Sequence, residues 1–214
     1  MSPSERTRRS YDSRGRQDAA RRSRAAVVSA FAEILFADGY RAATIRAVAD
    51  RAGTSAETVY KAFGGKAGLV KALWDVTLAG DDEPLAMIER EPAREIFAAG
   101  EPATKVWLYA GSVRGVHERL APLATLLAQA GPEAAAVLAT AEQERRTSVR
   151  TFVDHLADRG ALRPGVDPVR AADACWGLTG TPLFTQLTTG AGWDGSTYQR
   201  WLADMLTANL LCGC

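Results

Sequence analysis

Apolar residues recur along most of the chain at steps of three and four, the periodicity of an amphipathic α-helix. The first such pattern begins near Asp18, and Gly39 is expected to end it. Its apolar positions are Val27, Phe31, Ile34 and Leu35. Runs of alternating β-branched residues are absent from the sequence. The pattern therefore predicts an all-α protein.

Two short helical patterns follow, separated only by Gly53 and Thr54. The first begins after Thr44, a favourable N-cap residue. For the second, Ser55 is the expected N-cap, and Thr54 with Glu57 in a capping box is the alternative. The second pattern leaves polar side chains outside the core, namely Glu57, Thr58, Tyr60 and Lys61. A fourth helix is predicted from about Lys66.

Two short helices joined by a tight glycine-containing turn are typical of a helix-turn-helix. In that motif the second helix enters the major groove of double-stranded DNA. Helix N-termini at Thr44 and Ser55 would direct backbone N–H groups at phosphates. The alternative is an ordinary corner between two helices with a solvated face.

An acidic break at Gly80–Pro84 separates this region from the rest of the chain. We predict a disordered basic tail over residues 1–18, a helix-turn-helix domain with its connecting helix over 19–79, and a regulatory domain over 80–214. A helix is expected at about residues 102–120, followed by a further turn or two to residue 130. Two more helices are expected at 132–159 and 168–189, before a final helix. The 102–120 helix is expected to end at Pro122 because proline disrupts helix interiors.

The net charge of +1 conceals an asymmetry between the two parts of the chain. Residues 1–66 hold 13 Lys or Arg against 7 Asp or Glu, whereas residues 67–214 hold 13 against 18. A basic surface attracts phosphates by releasing counterions from DNA. A solubilising tail is the alternative, since many of these arginines lie near the N-terminus.

Several classes of protein are disfavoured by the sequence. The cysteine count is three, an odd number that predicts a reducing cytoplasm rather than a disulfide framework. Cys212 and Cys214 could offer two thiolates to a metal, but a frayed tail is the expected state. Neither an apolar run long enough for a membrane nor a secretory signal is seen. We predict no catalytic residue, no metal site and no cofactor, and therefore no enzyme.

The segment from Phe31 to Val70 resembles the N-terminal signature of the TetR family of transcriptional regulators. The matching positions are Gly39, Tyr40, Thr44, Ile45, Val48, Ala49, Ala52, Gly53, Ser55, Thr58, Val59, Tyr60, Phe63, Lys66 and Leu69. The segments "GALRPGVDPVRAAD" and "GWDGSTYQRWLADML" resemble those of a common regulatory domain of this family more loosely.

The resemblance implies a homodimer with about nine helices per chain. Its three N-terminal helices would bind a palindromic operator, and the others would form a ligand-binding and dimerisation domain. Phosphate contacts are implied for Thr44, Thr58, Tyr60 and Lys66. Base contacts are implied for Arg46, Ala56, Glu57 and Lys61.

Two features of the DNA-binding region stay open at this stage. Glu57 departs from the small residue often found at its position. It either accepts from a cytosine amino group or only caps the helix. The arginine-rich tail either reaches the minor groove or is a solvated arm.

The predicted pocket for a small organic ligand begins on the 102–120 helix, with Trp107, Tyr109, Arg114 and His117. Other helices would add Phe152, His155, Trp176 and Thr179. An apolar face bordered by a few polar groups is typical of such a pocket. In the alternative, the face is plain core and Arg114 pairs with Glu118 four residues later.

We therefore expect a ligand-responsive DNA-binding regulator, a repressor released from its operator by the ligand. The dimer would use the apolar face of the last helix, Trp201, Met205 and the run to Leu211, although a monomer could bury that face as core. A helical adaptor that binds only proteins is the alternative function.

Overall fold

The computed structural model describes residues 3–211, with side chains from Gly15 onward. Cys212 and Cys214 lie outside the described residues. Across 3–211 the chain forms ten α-helices and no strand, as the sequence predicted, apart from one isolated bridge between Leu162 and Leu211. The chain divides into two compact units, Met1–Val76 and Thr77–Cys214.

The first unit contains α1 (Pro3–Ala42), α2 (Ile45–Ala52), α3 (Ala56–Phe63) and the beginning of α4 (Lys66–Ala79). The helical backbone of α1 begins at Pro3 rather than near Asp18. Residues 3–18, which the sequence predicts to be disordered, are therefore helical. Gly39 interrupts α1 with φ +84°, at the predicted end of the first helical pattern.

The turn between α2 and α3 is built by the expected capping residues. The Thr44 Oγ1 accepts a hydrogen bond of 3.1 Å from the Ala47 N–H, and the Ser55 Oγ accepts one of 3.1 Å from the Thr58 N–H. Gly53 ends α2 in the left-handed conformation with φ +65°, which costs glycine little. Ser55 is therefore the N-cap of α3, and the alternative cap at Thr54 is not adopted.

The core of the first unit is closed by residues from all four of its helices. The buried side chains that meet there include Phe31, Leu35, Val48, Val59 and Leu69. Gly68 shows how closely α4 approaches the end of α3, because a Cβ built on Gly68 would collide with the carbonyl oxygen of Phe63. Only glycine permits this contact without a backbone shift.

The second unit begins with the end of α4 and a short 3-10 turn, Met87–Glu89. It continues with α5 (Glu91–Ala98), α6 (Pro102–Ala128), α7 (Pro132–Asp158), α8 (Pro168–Leu178) and α9 (Thr181–Thr185). A π-helical turn, Gln186–Gly190, and α10 (Gly195–Leu210) complete it. None of the described helices combines the length and the apolar character needed to cross a bilayer.

Helix α6 is central to the second unit and packs against α5, α7, α9 and α10. The core at these contacts includes Val106, Phe152, Leu156, Tyr198 and Leu202, all buried. Gly111 lets α10 approach α6, since a Cβ there would lie 2.8 Å from the Gln199 Nε2.

Two predicted helix boundaries in this unit were wrong. Helix α6 passes through Pro122 to Ala128, because burial of Leu123 and Leu127 offsets the one backbone hydrogen bond that proline removes. The helix predicted over 168–189 instead breaks at Thr179 and Gly180, just before Pro182 in the first turn of α9.

The close approach of α4 to α3 predicts an unusual response to a glycine substitution. Gly→Ala within a helix normally stabilises by about 1 kcal/mol. Gly68→Ala should instead lower the free energy of unfolding by roughly 1–3 kcal/mol, because it forces α4 away from Phe63. Urea unfolding of the purified variant measures this change.

Gly177→Ala is the matched control. Gly177 lies in α8, and a Cβ built there meets nothing within 4 Å. This variant should be at least as stable as the parent. Equal stabilisation by Gly68→Ala would show that the contact with Phe63 does not constrain the fold.

Candidate DNA-binding surface and ligand cleft

Helix α3 buries one side and exposes the other, as its sequence predicted. Val59 is fully buried in the first unit, whereas Glu57, Thr58 and Lys61 are exposed. The Tyr60 side chain is 56% exposed, which is unusual for an aromatic residue. Ala56 is half-buried at the first helical position. An outward polar face of two helical turns suits entry into a major groove.

The ends of α2 and α3 add further groups suited to DNA. Thr44 and Arg46 are exposed at the beginning of α2, and Ser55 is exposed at the beginning of α3. The Ser55 Oγ supplies the side-chain cap of α3. Glu57 lies in the first turn of α3, where its charge complements the helix dipole. Its contact with a base stays a prediction.

Lys66 anchors the beginning of α4 to the end of α1. Its ammonium group donates to the Tyr40 carbonyl oxygen and lies 3.7 Å from the centroid of the Tyr40 ring. The side chain is half-buried as a result. Its predicted contact with a phosphate stays a prediction, now with a structural role beside it.

Arg24 fixes the other end of α3, a role that sequence reasoning missed. Its Nη1 donates to the Ala62 carbonyl oxygen at 3.1 Å, and its guanidinium lies 4.3 Å from the centroid of the Phe63 ring. A cation near a helix C-terminus satisfies exposed carbonyls and complements the helix dipole. The contact spans 38 residues, so no local pattern announces it.

The second unit contains an open cleft of about 1020 Å³. One wall is the segment from Ala79 to Phe97, and the opposite wall comes from α6 and α7. Sequence reasoning missed most of this lining, including Leu85, Met87, Ile88, Ser112, Gly115 and Thr151. The available signal was the apolar sequence "LAMI" within an acidic segment, where apolar side chains are exposed.

Tyr109 and Phe152 are the two predicted pocket residues that line this cleft. Their rings stack with centroids 3.9 Å apart and an interplanar angle of 6°. Burial raises the pKa of Tyr109 well above its usual value. Because its pKa is raised, the phenol is neutral at physiological pH, and its hydroxyl interacts with Cys175 and Thr179.

Three further predicted residues form a separate polar cluster around Arg145. The His117 Nε2 donates to the Thr179 carbonyl oxygen at 2.8 Å, and the Thr181 hydroxyl lies 3.3 Å from the His117 Nδ1. The Arg145 Nη1 donates to the carbonyl oxygens of Trp176 and Thr179 at 3.0 and 3.2 Å. Burial lowers the pKa of His117. This cluster satisfies the carbonyls at the end of α8 and holds the helix break.

The remaining three predicted residues do not line the cleft. Trp107 is 46% exposed, and its carbonyl oxygen accepts a hydrogen bond from Gln199. The Arg114 Nε lies 3.6 Å from the Glu118 carboxylate, the pairing named above as the alternative. The His155 ring packs edge-on against Phe97 and accepts a hydrogen bond of 3.0 Å from Arg159.

Residues 27–73 match the family described as "Bacterial regulatory proteins, tetR family". This match covers the helix-turn-helix and the beginning of α4. The first unit therefore contains a segment similar to the regulatory proteins of the TetR family. No curated protein matches the chain.

Solved structures of similar fold extend the likeness over both units. The transcriptional regulator FadR from Bacillus subtilis, in complex with stearoyl-CoA, is 16% identical with a TM-score of 0.66, covering 86% of this chain and 97% of that chain. NalD from Pseudomonas aeruginosa, the secondary repressor of the MexAB-OprM multidrug efflux pump, is 19% identical with a TM-score of 0.64, covering 90% and 98%. SmeT in complex with triclosan is 16% identical with a TM-score of 0.62, covering 89% and 92%. At these identities the likeness shows the fold alone, a TetR-type fold over the 86–90% of this chain that the three structures cover.

The position of Lys66 leads to a prediction with two readouts. Lys66→Ala should weaken binding to all DNA sequences alike and lower the salt slope by about one, because a phosphate contact is lost. It should also reduce the free energy of unfolding by roughly 1–3 kcal/mol, because the Tyr40 carbonyl loses its partner. Salt-dependent DNA binding and urea unfolding measure the two effects.

Lys71→Ala is the control on the same helix, since the Lys71 ammonium pairs with the exposed Asp75 at 2.6 Å. Lys71→Ala should leave both the salt slope of DNA binding and the free energy of unfolding close to those of the parent. A Lys66→Ala variant that loses stability but keeps its full salt slope would leave Lys66 with only the structural role.

Proposed function

We propose that this protein is a repressor that binds a palindromic operator in the cytoplasm and is released by a small organic molecule. The observation that carries the proposal is the segment similar to TetR-family regulators, with the polar face of α3 turned outward. The cleft in the second unit supplies a place for the ligand. We expect no catalytic activity, because binding alone performs this function.

The proposed contacts with DNA divide into two kinds. Thr44, Thr58, Tyr60 and Lys66 would contact phosphates and set the register of the protein. Arg46, Ala56, Glu57 and Lys61 would face base edges in the major groove. Ser55 supports both sets because it directs the beginning of α3.

A homodimer would place two α3 helices about 34 Å apart, one turn of DNA. Trp201 and Met205 are partly buried in the single chain, and Ala208 is exposed one turn further along α10. This incomplete burial supports the use of α10 at a twofold interface. A twofold dimer in turn fits a palindromic operator.

The cleft suits a small organic ligand because apolar walls surround a few polar groups. FadR was solved with stearoyl-CoA and SmeT with triclosan, so proteins of this fold bind organic molecules. A ligand that binds better to a conformation unable to hold DNA shifts the population away from the operator. The ligand thus acts through its difference in affinity between two states.

Selection of bound duplexes from a random DNA pool tests the proposal. A palindrome should be enriched, and its affinity should fall steeply with salt. Sedimentation at micromolar concentration should give the mass of two chains. Weak binding without sequence preference, or a single-chain mass, would contradict the proposal and favour a helical adaptor that binds proteins.

Gly115→Leu tests the cleft without disturbing α6. Gly115 lines the cleft, and a Cβ there meets only the Arg119 Nη1 at 3.7 Å. Leucine has a higher helix propensity than glycine, so the variant should fold and bind operator DNA. It should bind Nile red, an uncharged apolar dye, about tenfold more weakly, because its side chain fills the cleft.

Ala103→Leu adds the same side chain at an exposed position of α6 outside the cleft and serves as the control. It should bind the dye as the parent does. Unchanged dye binding by Gly115→Leu would remove the cleft as the ligand site.

A further inference from the structure

We propose that the cleft binds a lipophilic amine, an elongated apolar molecule with a protonated nitrogen at one end, rather than a carboxylate or a phosphate ester. This inference rests on the proposed function only for its regulatory meaning. The binding itself follows from how the cleft distributes its charges, donors and acceptors.

The segment that forms one wall of the cleft is strongly acidic. Five of the residues that line the cleft are acidic (Asp81, Glu83, Glu89, Glu91 and Glu95), and three are arginines (Arg90, Arg94 and Arg119). Glu91 and Glu95 are exposed on α5 at the cleft, and neither carboxylate accepts a hydrogen bond from another described residue. A concave site with an excess of one sign of charge attracts the opposite sign and repels its own. The cleft therefore favours a cation.

The cationic and donor groups of the cleft are largely occupied within the protein. Arg90 donates to the Asp81 carboxylate at 2.6 Å and to the Glu83 carbonyl oxygen at 3.0 Å, while its buried Nε has no hydrogen-bond partner among the described residues. Arg119 donates to the carbonyl oxygens of Thr77 and Leu78 at 3.1 and 2.9 Å. These guanidinium groups hold the chain in place, which weakens the case for an anion site.

Two other donors do not change this conclusion. The Tyr109 hydroxyl interacts with Cys175 and Thr179, neither of which lines the cleft. Arg94 is exposed, and Glu91 and Glu95 flank it within the same two turns of α5. The surface that α5 offers to the cleft therefore keeps a net negative charge.

The wall formed by α7 offers hydrogen-bond acceptors. The hydroxyls of Thr147, Ser148 and Thr151 donate to the carbonyl oxygens four residues earlier at 3.1, 3.2 and 3.1 Å. All three residues line the cleft. Because each hydroxyl proton is engaged, the oxygens face the cleft with only lone pairs to offer. An ammonium group, which has three donors and no acceptor, complements this wall.

The apolar residues that line the cleft determine which apolar group of a ligand it can hold. Leu85, Met87 and Ile88 are 48%, 39% and 52% exposed beside the acidic groups. The stacked rings of Tyr109 and Phe152 lie in the opposite wall. Covering these side chains with an alkyl or aryl group gains about 25 cal/mol per Å² of apolar area removed from water. The cleft thus combines an apolar floor with an acidic rim.

Three probes of equal chain length separate the charge from the apolar contribution. Decylamine, decanol and decanoate are titrated into the purified full chain at pH 7, below their micelle concentrations and without DNA. Decylamine should bind at least about tenfold more tightly than decanoate, with decanol between them, because only the charge differs. Equal or tighter binding of decanoate, or no binding of any probe, would overturn the proposal.

The double variant Glu91→Gln with Glu95→Gln tests the source of the preference. It should weaken decylamine binding by roughly threefold to tenfold, in the range of exposed charge pairs, and leave decanol unchanged. Glu133→Gln, in the first turn of α7 and outside the cleft lining, is the matched control. An unchanged preference for decylamine in the double variant would refute the role of the acidic rim.

The ligand class and the proposed function are tested by separate measurements, so failure of one can be distinguished from failure of the other. Decylamine binding is measured without DNA and does not depend on operator recognition. Amine binding with no selected operator would overturn the proposed function alone. A selected operator with no amine preference would overturn the ligand class alone.

Discussion

A helix of eight residues is too short to persist in water by itself, and α3 is such a helix. Its shape and direction must therefore come from tertiary contacts. Val59 fixes its inner side, Ser55 caps its beginning, and Arg24 holds its end. Gly68 allows α4 to pack directly on the last carbonyl of the helix. The DNA contacts proposed for α3 depend on this constraint, because the tertiary contacts hold one face of the helix and leave the other face free for DNA.

The local features of this arrangement could be read from the sequence, whereas the distant contacts could not. The caps at Thr44 and Ser55 and the turn at Gly53 follow from short-range chemistry. Arg24 and Lys66 reach partners 38 and 26 residues away, and no spacing rule announces such pairs. The family resemblance located the domain but could not supply these supporting contacts.

In the second unit, too, the sequence predicts local features and misses contacts between distant residues. Helical periodicity placed Tyr109 on an inner face, but it could not say which element would lie opposite. The opposite wall of the cleft comes from residues 79–97, where periodicity was weak. The sequence predicts His117 as a ligand contact, yet its ring donates to the Thr179 carbonyl oxygen. The same oxygen accepts a hydrogen bond from Arg145. The chain uses its buried polar groups to hold the break after α8, and it leaves acceptors and carboxylates facing the cleft.

The proposed function requires that ligand binding in the cleft and operator binding by α3 be coupled. Such coupling is reciprocal, so a ligand that weakens operator affinity by a given factor must itself bind more weakly to the operator complex by the same factor. The most direct test measures decylamine affinity for the protein with and without a saturating selected operator, and operator affinity with and without saturating decylamine. We expect operator to weaken decylamine affinity and decylamine to weaken operator affinity by the same factor, and this factor should be greater than one. Decylamine affinity that is the same with and without operator would contradict it.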